Sequence, residues 1–201
     1  MKQLLLDIKP AAKPTLQNFV AGRNAEALAS LQASFSNPAA PKFIYLWGET
    51  GCGKSHLLSA CEAIGARVQD NVHLLNHAAQ ISLFNTFNQL KESNDILITA
   101  GLHAPTQLGL RDDLATRLAW GLVYQLQPLN DAEKALALQQ HAFERGMKLP
   151  NEVVEYCLRY LRRDLPTLMA TLDALDEWSL IAQKPVTVPM LKKLLQLDLN
   201  L

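Results

Sequence analysis

The stretch Gly48-Glu49-Thr50-Gly51-Cys52-Gly53-Lys54-Ser55 fits the pattern G-x-x-x-x-G-K-S and constrains the fold more than any other part of the chain. The pattern works only where a buried strand ends and a helix begins, and both neighbours suit it. Phe43-Ile44-Tyr45-Leu46-Trp47 is a short, apolar, β-prone run, and His56-Leu57-Leu58-Ser59-Ala60 can open a helix. Glycines let the backbone curve around a phosphate chain at φ angles that other residues resist, and the N–H groups at a helix start donate to anionic oxygens. Lys54 is placed to reach the β- and γ-phosphates, and Ser55 to ligate Mg²⁺. A glycine-rich turn alone would explain the glycines. Strand, loop and helix in sequence point instead to a bound nucleotide.

The rest of the chain supports a layered α/β unit followed by a helical one. Asn24 to Phe35 has helical composition, and His77 to Glu92 carries Ile81, Phe84, Phe87 and Leu90 at three-residue steps, which predicts one buried helix face. Asp95 to Ala100 and Leu122 to Leu126 read as further buried strands, so strands alternate with helices as in a covered parallel sheet. The character changes at Pro128-Leu129. Asn130 with Glu133 signals a helix start and Gly146 a stop; Pro150 introduces a second helix, Leu165 to Trp178 stripes a third, and Val188-Pro189 opens a last one. The predicted divisions are an arm over 1–14, a nucleotide-binding α/β domain over 15–128 and a helical domain over 129–201.

Composition excludes several classes. The chain has 201 residues, enough for one domain or two small ones, and its formal net charge is zero. No global basic field marks it for strong nucleic-acid or anionic-membrane binding. Cys52, Cys61 and Cys157 are odd in number and lack metal-site spacing, which fits reduced thiols. No apolar run of about 18 residues is present to span a bilayer. Met1 to Lys9 is too short and charged for a signal peptide. The expectation is a soluble, cytoplasmic protein.

Several segments together resemble the DnaA-related AAA+ proteins of the Hda type. Thr15 to Asn24 resembles the adenine-side segment of that family, Asp70-Asn71-Val72-His73-Leu74-Leu75 its metal-site strand end, Leu114 to Gly121 its arginine-finger segment, and Arg162-Arg163-Asp164-Leu165 its lid sensor. The resemblance implies an AAA+ parallel-sheet domain with a C-terminal helical lid. It implies ADP or ATP with Mg²⁺, held by Phe19, Val20, Gly48, Glu49, Thr50, Gly51, Cys52, Gly53, Lys54, Ser55, His56, Asp70 and Arg163, with Ser55 and Asp70 at the metal. Arg117 would be the catalytic finger acting in a neighbouring subunit; an unrelated surface arginine would pair with Asp112 or Asp113. Gln3, Leu4, Leu6 and Ile8 resemble the motif that holds the replicative sliding clamp, where a glutamine bonds at a pocket mouth and leucines fill an apolar cleft. DnaA, the clamp and a second copy of the chain (a homo-oligomer) are the implied partners, and the implied role is negative regulation of replication initiation.

Some residues depart from the family. Asn71 stands where hydrolytic relatives place a carboxylate, and an amide cannot take a proton, so intrinsic hydrolysis should be slow and ADP the resident ligand. Gly101 stands where relatives place a polar sensor, leaving Thr99 as the candidate. Only 14 residues separate Ser55 from Asp70, too few for the strand and helix that relatives have there. Gly65 to Gln69 is therefore either the start of that extra strand or a weakly apolar metal-site strand. Either the domain is trimmed here, or a segment is lacking between Gln69 and Asp70, which the polarity of Ala66-Arg67-Val68-Gln69 favours. Two other classes compete: an autonomous ATPase or helicase loader of the DnaC type, which the neutral charge disfavours, and a small-molecule P-loop kinase, which needs a closing lid with arginines rather than a terminal helical bundle.

Overall fold

Alternating side chains along one central strand decide the first layer arrangement. In the computed structural model, which describes residues 13–162 and 164–198, β1 (Phe43–Trp47) sends Ile44 and Leu46 to one face and Tyr45 to the other. The first face is covered by α1 (Ala25–Ser36) through Ala27 and Leu31, and by α2 (Lys54–Glu62) through Leu57, Leu58, Ala60 and Cys61. The second is covered by α3 (His77–Ser93) through Leu83 and by α4 (Asp112–Trp120) through Leu114 and Leu118. The sheet is parallel, in the order β2-β3-β1-β4, with β2 Arg67–Gln69, β3 Leu97–Gly101 and β4 Leu122–Gln125. Both faces being covered, β3 is buried throughout.

The expected strands and helices form, with shifts that have physical causes; β4, expected to be buried, is instead an edge of the sheet, with Val123 and Gln125 exposed. Strand β3 starts at Leu97 rather than Asp95, since Leu97 N–H already bonds the carbonyl of Lys42 ahead of β1. The buried face of α3 is Leu83, Phe87 and Leu90, while Ile81 is exposed. Three-residue steps drift backwards around a 3.6-residue helix, so Ile81 and Leu90 end on opposite sides; spacings of four and three keep one face. The ambiguous stretch Arg67–Gln69 is β2, which pairs in parallel with β3 and runs straight into Asp70. With no strand beyond it among the described residues, it is an edge, which explains how Arg67 can be exposed.

The two compact units meet in sequence at Leu129 and Asn130. The α/β unit ends on a device with no sequence signal. The side chain of Asn24, nearly fully buried, donates to the carbonyl of Gln127 at 2.9 Å and accepts the Gln127 N–H at 2.7 Å. Arg23 adds a bond to the carbonyl of Pro128 at 2.8 Å.

The second unit is all helical: α5 (Asp131–Glu144), α6 (Asn151–Tyr160), α7 (Leu165–Ala182) and α8 (Val188–Asp198). Its core joins Leu138 and Ala142 to Val153, Val154 and Cys157, Leu168, Leu172 and Leu175, and Leu191 and Leu194. Helix α5 opens on a full capping box: Asn130 Oδ1 accepts the Glu133 N–H at 2.8 Å and Glu133 Oε2 accepts the Asn130 N–H at 2.7 Å. Asn130→Ala should cost the helical unit about 1 kcal/mol, read as a lower urea midpoint for its unfolding; an unchanged midpoint would show that the cap is idle.

Burial pushes the Cys61 thiol up to about 12 and the Cys157 thiol up to about 11. A free thiol ionises near about 8.5, so below that pH both states hold the proton and nothing is gained or lost. Above it the unfolded chain sheds protons that the folded chain keeps. Stability should therefore fall as pH rises from about 9 until the folded thiols ionise in turn. The chain with Cys61→Ala and Cys157→Ala should show a flatter loss of urea midpoint between pH 8 and pH 10.5. An identical slope would remove the thiols as the cause.

Candidate functional site

The phosphate loop starts where β1 ends. Gly48 is buried at φ 147°, and a Cβ there would collide with the backbone oxygen of Leu126, so only glycine lets β1 and the end of β4 close together. Glu49, Thr50 and Gly51 form the exposed crest, and Cys52 turns inward. Gly53, at φ 99°, precedes the first turn of α2, and a Cβ on it would meet the Phe19 ring at 2.7 Å. At both positions glycine is required by close packing against protein atoms as well as by positive φ.

Lys54 Nζ donates to the carbonyls of Gly48 at 2.6 Å and Glu49 at 2.9 Å, so the ammonium is held at the loop itself. Ser55 Oγ donates to Asp70 Oδ2 at 2.9 Å across 15 residues of sequence. This pair tests the fit of a metal. Mg²⁺ takes few protein ligands and completes its shell with waters and phosphate oxygens, so a hydroxyl beside one carboxylate at the foot of a phosphate loop is a suitable donor set. Among the described residues no group of three or more His, Cys, Asp or Glu side chains converges on a metal position, which leaves this two-residue arrangement dependent on phosphate for the rest of the shell.

The amino-terminal segment reaches the same loop. Thr15 and Asn18 exchange side-chain to backbone bonds at 2.8 and 3.1 Å, closing a turn that buries Leu16 in the core. His56 Nε2 lies 3.0 Å from the carbonyl of Thr15, and the Phe19 and His56 rings sit 5.4 Å apart. Phe19 and His56 are therefore brought to the start of α2, and Val20 follows, half-buried.

Other sequence candidates fare differently. Thr99 is 2% exposed and sits opposite Tyr45, two residues before β3 ends, so it does not reach the strand mouth. The glycine at 101 has its own cause, which the sequence did not signal. The Tyr45 hydroxyl, donating to the carbonyl of His103 at 2.8 Å, fills the space where a side chain on residue 101 would stand. Arg117 does not pair with Asp112 or Asp113; Asp113 is held by Arg111 at 2.7 Å, which lowers its carboxyl below the ordinary range. The Arg117 guanidinium instead lies 5.7 Å from the Phe84 ring, 5.8 Å from Phe87 and 5.6 Å from Trp120, with no carboxylate partner among the described residues. Arg162 pairs with Asp164 at 3.5 Å, while Arg163 lies outside the described residues, as do Gln3, Leu4, Leu6 and Ile8. No helix of the described residues is long and apolar enough to cross a membrane.

A parallel sheet with a phosphate loop at the end of its central strand, covered by helices and followed by a helical lid, is the architecture of AAA+ proteins. Residues 131–195 match the family described as the lid domain of Hda. An uncharacterized protein of Haemophilus influenzae is 33% identical over 230 aligned positions, covering 98% of this chain and 99% of that one. This chain has 201 residues, so the alignment contains positions that it does not fill. Domain III of the Thermotoga maritima replication initiation protein DnaA has the same fold, with a TM-score of 0.69, 22% identity, and 94% of this chain and 98% of that one covered. Aquifex aeolicus DnaA, solved with AMPPCP bound, gives a TM-score of 0.67 at 22% identity, with 84% and 66% covered. The chain belongs to the Hda-like, DnaA-related AAA+ proteins.

Proposed function

We propose that this protein is a negative regulator of replication initiation that holds ADP or ATP with Mg²⁺ and promotes ATP hydrolysis on DnaA. The observation that carries the reading is the Hda-type lid match over residues 131–195, joined to an α/β unit with a complete phosphate loop. The loop amides, Lys54, Ser55 and Asp70 would hold the phosphates and metal, with Phe19, Val20 and His56 toward the base and Arg163 reporting from the lid. When bound, Mg²⁺ supplies charge neutralisation between the phosphates. Arg117 would enter the partner's site, where a planar, permanently charged fork matches phosphoryl oxygens. Among the described residues it has no carboxylate partner, which supports that role, since an ion pair would have to break first. Gln3, Leu4, Leu6 and Ile8 would dock on the sliding clamp. Asn71 and Gly101 disfavour brisk turnover by the chain itself, which supports a regulator over a DnaC-type loader.

The test follows DnaA-bound ATP with clamp-loaded DNA present. The protein should accelerate conversion to ADP, and removal of the clamp should abolish most of the effect. Brisk ATP turnover by the isolated chain, without any effect on DnaA, would favour the autonomous ATPase instead.

A further inference from the structure

Asn71 is one of three non-glycine residues with positive φ among the described residues, at 51°. The other two, Asn94 and Gln183, follow the last turns of α3 and α7, where a left-handed residue is an ordinary stop. Asn71 ends no helix. It stands between Asp70, at the metal position, and Val72, at the core, and each neighbour is fixed independently.

Asp70 is held at every oxygen. Its Oδ2 accepts the Ser55 hydroxyl at 2.9 Å, its Oδ1 accepts the Asn71 N–H at 2.7 Å, and its carbonyl accepts the Gln69 side-chain amide at 2.8 Å. Val72 is fully buried with Tyr45, Leu83, Leu114 and Leu118, and its Cγ2 lies 3.1 Å from where a Cβ on Gly101 would stand. The Asn71 carbonyl then accepts the Leu74 N–H at 2.8 Å, starting the 3-10 turn Val72–Leu74. The chain must reverse within one residue to satisfy both anchors, and the left-handed conformation does so. The Asn71 side chain is exposed and takes no part. Asparagine adopts this conformation readily, whereas alanine and above all β-branched valine resist it.

We propose that Asn71 is a positioning residue: its backbone turn, rather than its side chain, sets the Asp70 carboxylate against Ser55 and so governs the Mg²⁺-dependent part of nucleotide affinity. This rests on the phosphate-loop reading above. It also places the missing carboxylate in a new light. A glutamate at position 71 lacks asparagine's ease in the left-handed conformation, so it strains the turn that holds Asp70 instead of only adding a base.

The experiment titrates ADP onto the full chain and its variants with excess Mg²⁺ and with EDTA. The parent chain, Asn71→Gly and Asn71→Asp should gain equally from Mg²⁺, while Asn71→Ala and Asn71→Val should lose about tenfold of that gain. Affinities in EDTA should stay alike, which also controls for folding. Asn71→Glu should gain no ATP turnover. The assignment is overturned if alanine and valine keep the full Mg²⁺ gain, if glycine loses it as valine does, if the parent shows none, or if Asn71→Glu hydrolyses ATP. A parent chain that binds no ADP under either condition would instead remove the phosphate-loop reading, and this inference with it. Tight binding with indistinguishable variants would remove this inference alone.

Discussion

Arg117→Ala is expected to reduce the stimulated hydrolysis of DnaA-bound ATP by about 10³-fold, the low end of what an arginine supplied in trans contributes. The magnitude follows from the role. The residue would add charge where phosphoryl oxygens gain it in the transition state, so the loss should fall on the rate at saturating protein, with little change in half-saturation. The structure bears on how the side chain is presented. Three aromatic rings, Phe84, Phe87 and Trp120, lie within 6 Å of the guanidinium, and Trp120 is itself 54% exposed. A guanidinium held over rings by cation–π attraction spends none of its N–H groups on a carboxylate, and an ammonium lacks the planar fork that those groups present. Arg117→Lys should therefore fail to restore activity despite keeping the charge. Nucleotide binding by the variant chain itself should be unchanged. Full stimulation by Arg117→Ala would sink the finger assignment.

Lys54→Ala is expected to weaken ADP or ATP binding by about 10- to 100-fold, the worth of charge-assisted hydrogen bonds to phosphate. In the structure the ammonium is bonded to the Gly48 and Glu49 carbonyls at the loop, so little reorientation separates it from a phosphate in the cradle. Titration with a fluorescent ADP analogue measures the loss. The melting temperature without nucleotide should change little, because the lysine bonds loop carbonyls rather than the core. The rise in melting temperature that nucleotide confers on the parent chain should largely disappear. A variant that binds as tightly as the parent would mean that the loop is not a phosphate site.

Much of this protein could be read along the chain because its signals are local. Strand, glycine loop and helix are contiguous between Phe43 and Ala60. The cap at Asn130 needs only Glu133, three residues on, and Gly146 ends α5 by its own backbone freedom at φ 71°. Periodicity worked where its step matched the helix and failed at Ile81, where three-residue steps drift around a 3.6-residue turn. The stretch before Asp70 could not be assigned from polarity, since an exposed Arg67 suits an edge strand and the strand order is not written in three residues.

The sequence by itself determined the element types, the phosphate loop and the break into an α/β and a helical unit, because propensity, capping and glycine geometry act over a few residues. Tertiary structure alone decided that Asn24 clasps Gln127, that Tyr45 fills the space over Gly101, and that Arg117 lies among rings rather than carboxylates. Each of these joins residues from different elements. Their distance depends on sheet order and helix packing, which no window along the chain contains.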